Sequence, residues 1–160
     1  MQIGLVILLG IYLLFRNMRI NAKPLSQIKT VIRASEYAPY EQYIINQMNL
    51  ESGYLTNTLS QPPIYNPFSM GRVRIRPTTQ IDYYSNPNID GGQDFGVYED
   101  YISATQDFLL YLKYIRMPQG LTCREYNAYI NSKNYAVDPR YEEKLNAMCK
   151  WVLFLQVLDF

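Results

Sequence analysis

The sequence predicts a mainly helical α+β domain with a small β-hairpin lobe, preceded by an N-terminal hydrophobic helix. Three observations predict it. Apolar residues recur at helical spacing before residue 52 and again after residue 99. Between them the helical pattern stops, broken by Pro62, Pro63, Pro67, Pro77 and Pro87. Within that middle stretch, Arg72-Val73-Arg74-Ile75-Arg76 alternates basic and apolar, as a half-buried strand does.

Ile3 to Phe15 is an uninterrupted apolar run. At helical rise it spans roughly 20 Å, short of the ~30 Å hydrocarbon core. Arg16, Arg19 and Lys23 follow the run rather than precede it, and no Ala-x-Ala cleavage pattern follows. We read residues 1–19 as an uncleaved membrane anchor helix, residues 20–25 as a linker and residues 26–160 as the folded domain. A positive flank on this side by itself favours a cytoplasmic location, against an enzyme acting outside its own cell's membrane; placement in a virion membrane removes that conflict.

Pro24 is expected to stop helix continuation from the anchor. Ser26 is a candidate N-cap for a helix to about Ser35, with Ile28, Val31 and Ile32 on one face. A second helix is expected from Pro39, a suitable first helical residue. Its apolar positions are Tyr40, Ile44, Ile45 and Met48. Glu51 lies three residues beyond Met48 and so leans toward the inward side. It is either end-of-helix surface punctuation, closed by Ser52-Gly53, or a functional acid at a groove floor. Gln80 to Tyr84 is the expected returning strand, and Ser85-Asn86-Pro87-Asn88 and Asp90-Gly91-Gly92 are turn signals. From about Glu99 a stripe of Tyr101, Ile102, Thr105, Phe108, Leu109, Leu112 and Ile115 predicts a helix ending before Pro118. Thr122 and Glu125 have the form of a capping box. Asp138-Pro139 predicts the last helix start, with Leu145, Met148, Val152 and Leu155 on its apolar face. The apolar end, Trp151 to Phe160, is read as core, with a second membrane or partner contact as the alternative.

Composition narrows the chemistry. The chain has 15 Lys and Arg against 14 Asp and Glu, so no field points to nucleic acid. It has no His, which removes Ser-His-Asp and Cys-His catalysis and most transition-metal sites. Acid–base work falls to Asp, Glu, Tyr or Lys. The 16 tyrosines suit packing and the lining of sugar grooves alike. Cys123 and Cys149 form no metal motif. They could pair in an oxidising compartment or be two small buried hydrophobes, and the second reading is favoured. No metal and no cofactor is expected.

Three segments, in order, resemble the glucosaminidase family of peptidoglycan hydrolases, glycoside hydrolase family 73. They are Glu51-Ser52-Gly53-Tyr54; Asn66-Pro67-Phe68-Ser69; and Tyr135-Ala136-Val137-Asp138-Pro139-Arg140-Tyr141-Glu142-Glu143-Lys144-Leu145. Phe95-Gly96-Val97-Tyr98 resembles a further family segment before a helix. The match covers roughly residues 26–152. The resemblance implies a lysozyme-like fold, with a hairpin lobe walling one side of a groove. It implies Glu51 as general acid and a second acidic residue in the hairpin lobe, for which Asp82-Tyr83 is the nearest match and Asp90 and Asp94 are substitutes. It implies Tyr54, Asn66, Phe68, Tyr83 and Tyr135 as substrate-binding residues. Two departures are the Asp at position 82, where the family more usually has Glu, and Ser69, where it has Gly.

The expected activity is hydrolysis of β-1,4 bonds in peptidoglycan glycan strands, on the N-acetylglucosaminyl side, serving phage infection or lysis. The alternatives are a muramidase or lytic transglycosylase, a tethered host remodelling enzyme, or a non-catalytic virion protein on the same fold. Expected partners are peptidoglycan strands, a membrane through residues 3–15, and virion proteins; the expected location is membrane-anchored, in a virion or cell envelope.

Overall fold

The computed structural model describes residues 22–85 and 92–158, with side chains through residue 149. The anchor run, the turn residues 86–91 and the side chains of the apolar end lie outside the described residues. Among the described residues five α-helices carry the domain: α1 (Ala22–Arg33), α2 (Glu41–Ser52), α3 (Tyr101–Tyr114), α4 (Cys123–Ser132) and α5 (Tyr141–Leu158). Two antiparallel strands, β1 (Asp82–Ser85) and β2 (Asp94–Val97), make the lobe. Helix α1 packs on α3, and α5 packs on both α2 and α4. No helix among the described residues is long and apolar enough to cross a membrane.

Helix α1 begins at Ala22, ahead of the expected Ser26 cap, so residues 22–25 are helix rather than linker. Pro24 sits in the first turn, where its missing N–H has no intrahelical partner to lose. Pro39 lies in a one-turn 3₁₀ segment, Ala38–Tyr40, that leads into α2. Ile28, Ile32, Ile44, Ile45, Met48, Phe108, Leu112, Ile130 and Leu145 fill one core, as their spacing predicts. Tyr40 ties α2 across the domain: its hydroxyl donates to the Pro118 carbonyl at 2.8 Å and accepts from the Leu121 N–H at 2.9 Å. The Thr122–Glu125 capping box is fully formed at the start of α4. Asp138 caps a turn rather than a helix, its carboxylate accepting from the Arg140 N–H, and α5 begins at Tyr141.

The hairpin differs from the expected one. β1 pairs with Asp94–Val97, not with residues 72–76. Only the head of the arginine segment joins the sheet, through the Gly71–Phe95 bridge and the Arg72 N–H to Asp94 carbonyl bond. Beyond it, side chains replace the ladder. The Val73 N–H is taken by the Gln80 side chain at 2.9 Å, and Arg76 turns inward onto Asp107. Gln80 passes so close to Gly96 that a Cβ there would lie 2.4 Å from its amide nitrogen, so any larger residue at 96 must displace the Gln80 side chain.

Cys123 and Cys149 are paired, with Cα atoms 6.0 Å apart, correcting the reading of two separate buried thiols. The spacing of 26 residues gave no sign of it, because only the packing of α4 against α5 brings the two sulfurs together.

Candidate active site

Glu51 stands one residue before the end of α2. Gly53 ends the helix in the left-handed conformation, at φ 56°. Tyr54 and Leu55 continue in that region, at φ 61° and 63°, which non-glycine residues seldom adopt. The turn is held from within: the Ser52 hydroxyl accepts from the Leu55 N–H at 2.8 Å, and Leu55 is buried. The Glu51 main-chain carbonyl accepts from the Asn57 amide at 2.8 Å and from the Ser69 hydroxyl at 3.4 Å. The backbone bearing Glu51 is thus fixed from two sides.

Glu51 lines a groove of about 320 Å³. One wall is the hairpin side, with Ser69, Gln93 and Phe95; the other is the segment Asn134–Asp138 with Tyr141 and Lys144. One carboxylate oxygen of Glu51, Oε1, is fully buried. Two tyrosines flank this carboxylate, Tyr135 and Tyr141. Burial first, then the Glu51 charge, raises both phenols well above the ordinary tyrosine range. Asp138 is the second carboxylate among the groove-lining residues. The Lys144 ammonium bonded to it, with the Arg140 N–H, holds its carboxyl below the usual aspartate range.

The expected site residues divide. Glu51 and Tyr135 share the groove. Tyr54 follows directly and is 64% exposed. Asn66 and Phe68 lie beneath the groove rather than on it, 1% and 0% exposed. The Asn66 amide donates to the Met70 and Gly96 carbonyls and accepts from the Met70 N–H, pinning the lobe to the helical body. Phe68 stacks on Phe108, ring centroids 4.3 Å apart. Ser69, where the family has Gly, sits at φ 49°, so the position calls for a left-handed residue. Asp82 and Tyr83 are on β1, outside the groove lining. Asp82 is exposed and accepts from the Tyr83 N–H, while the Tyr83 ring carries the Arg72 guanidinium 3.8 Å from its centroid. Asp94 faces Arg72 at 3.7 Å, and Asp90 lies outside the described residues. Gln93, Asn134, Tyr141 and Lys144 were not foreseen as groove residues. Tyr141 and Lys144 belong to the quoted Tyr135–Leu145 element, and their spacing of three on one helix face was the available signal.

The sequence pattern of the glucosaminidase family, described as mannosyl-glycoprotein endo-beta-N-acetylglucosaminidase, matches residues 29–152. The chain belongs to the glucosaminidase family. As a member it is a glycoside hydrolase, and the matched range holds Glu51, the lobe and the whole groove. Solved structures share the fold. The catalytic domain of the autolysin Auto from Listeria monocytogenes is 18% identical, with TM-score 0.56, over 88% of this chain and 86% of that one. A glycoside hydrolase domain of FlgJ from Salmonella typhimurium is 21% identical, with TM-score 0.55, over 85% and 97%. A peptidoglycan hydrolase from Sphingomonas sp. A1 is 18% identical, with TM-score 0.56, over 78% and 81%. Comparison with curated protein sequences found no match.

Proposed function

We propose that the protein is an endo-β-N-acetylglucosaminidase that cleaves β-1,4 bonds in the glycan strands of peptidoglycan. The observation that carries the reading is the position of Glu51 in a family-matched groove, partly screened from water yet open to a polymer. Three structural neighbours named for cell-wall or glycoside hydrolysis support the substrate class. Glu51 donates a proton to the departing glycosidic oxygen, a step that needs a carboxyl still protonated near neutral pH.

The second role has two candidates. Asp82 would activate water or steady the oxocarbenium-like charge. Participation by the substrate's own acetamido group needs no second carboxylate, and the exposure of Asp82 outside the groove lining favours it. Peptidoglycan zymograms of Glu51→Gln and Asp82→Asn test both points. Glu51→Gln is expected to fold and to lose clearing by at least about a hundredfold; retained clearing sinks the assignment. Asp82→Asn is expected to keep most activity, and its loss would select Asp82 as the second group. Mass spectrometry of the digest distinguishes a glucosaminidase from a muramidase or transglycosylase by the reducing-end sugar or an anhydro product.

The reading extends to place. The apolar run 3–15 would tether the domain at a membrane, in a virion or cell envelope, and the Cys123–Cys149 pair suits an oxidising, extracytoplasmic setting. A fragment for comparison with the full chain should begin ahead of Ala22, since a start at Pro24 cuts α1.

A further inference from the structure

Tyr141 is the first residue of α5, and its ring lines the groove beside Glu51 while only 4% exposed. Its hydroxyl is screened from water and makes no hydrogen bond of ordinary geometry among the described residues. Two side chains lie within its reach, the Glu51 carboxylate and the Gln47 amide. The Gln47 carbonyl oxygen accepts from the Tyr126 hydroxyl at 3.0 Å, and its buried NH2 can only donate, so the carboxylate of Glu51 is the acceptor in reach of the Tyr141 O–H.

Tyr135 is employed differently. Its hydroxyl donates to the Phe68 carbonyl and lies 3.4 Å from the Met70 sulfur, so it ties the lobe to the segment before α5. The Tyr135 and Tyr141 rings stack, centroids 6.0 Å apart, which fixes the plane of Tyr141. Of the two tyrosines flanking Glu51, Tyr141 is the one with a hydroxyl left to give.

We propose that Tyr141 is a positioning residue for Glu51, its O–H donating to the carboxylate that forms as Glu51 releases its proton to the glycosidic oxygen. The proposal rests on Glu51 being the general acid. The proton passes from Glu51 to the leaving oxygen as the C–O bond breaks, and the bonding pair goes to that oxygen. Tyr141 loses no proton; its hydrogen bond strengthens as charge develops on Glu51. Burial and the Glu51 charge keep the phenol protonated far above neutral pH, so it is a donor throughout any assay. Asp138 and Lys144, on the wall that carries Tyr141, are paired with each other. Tyr135 is held by Phe68, and Asn57 and Ser69 reach the Glu51 main chain, not its carboxylate.

A hydrogen bond to the charged form makes an acid easier to ionise. Tyr141→Phe in the full chain is therefore expected to lower kcat about tenfold with little change in KM, and to move the alkaline limb of activity up by about one pH unit. The carboxyl carbon-13 titration of Glu51 should move up by the same amount. Tyr40→Phe, which removes a buried hydroxyl outside the groove, should leave both limb and titration in place and lower the thermal midpoint instead. If Tyr141→Phe fails to fold, Tyr141→Met removes the same hydroxyl. An unmoved Glu51 titration in the folded variant overturns the proposal. Wild-type chain that does not cleave peptidoglycan, or active Glu51→Gln, would instead overturn the glucosaminidase reading, and the titration would still decide the Tyr141 contact.

Discussion

Asn66 shows how a residue can sit in a family motif and do its work out of sight. Its three hydrogen bonds, at 2.8–2.9 Å, join two loops and one strand across a dry junction. Removing the side chain leaves the Gly96 carbonyl and the Met70 N–H buried without it. Asn66→Ala is expected to cost about 2–4 kcal/mol. Chemical denaturation should show it, with wall-clearing activity recovered per folded molecule at low temperature. Glu51 and Tyr135 were legible as site residues because a short motif carries them. The roles of Asn66 and Phe68 were not, since spacing cannot tell a side chain on the groove from one supporting it from below.

Among the elements, the segment between Gly71 and β1 is the least expected. Alternating Arg72–Arg76 resembled a strand, but its last arginine is spent on a buried ion pair. Both terminal guanidinium nitrogens of Arg76 bond Asp107, at 2.8 and 3.0 Å, with the two side chains 4% and 0% exposed. The Tyr98 hydroxyl adds a third bond to the same carboxylate, at 2.7 Å. This network joins the lobe to α3. Losing one partner strands a buried charge: Arg76→Ala or Asp107→Ala should cost about 3–5 kcal/mol. The paired replacement Arg76→Met with Asp107→Leu should recover most of that, so a double-mutant cycle by denaturation measures the clamp. Were the double variant as unstable as either single one, the pair would not be what holds the lobe. A charged residue inside the predicted apolar stripe of α3 was the only hint, and it has no meaning until Arg76 is seen opposite it.

For the whole molecule, the tyrosines set the response to base. Tyr98, Tyr126, Tyr135 and Tyr141 are all held well above the ordinary tyrosine range, burial being the first cause in each, and Tyr111 is pushed up to about 12. A folded-state pKa above the unfolded one means the folded chain binds the proton more tightly. The stability this contributes is complete below about pH 10, the unfolded tyrosine value, and is lost as pH rises beyond it. Alkaline unfolding above about pH 10.5 is therefore expected. Ultraviolet titration should show exposed tyrosines ionising first and the buried set only together with loss of the fold. Early ionisation of every tyrosine in the folded protein would contradict it.

By itself the sequence determined the local matters: which stretches are helical, where Thr122 caps, which apolar positions form the core, and that Glu51 ends a helix with a glycine behind it. These depend on spacing of three or four residues and on backbone chemistry, so a single segment carries the information. The tertiary structure alone decided the pairings: β1 with β2, Arg76 with Asp107, and Cys123 with Cys149. Each joins residues nine or more positions apart, and what selects one partner over another is the burial both gain once the chain has packed.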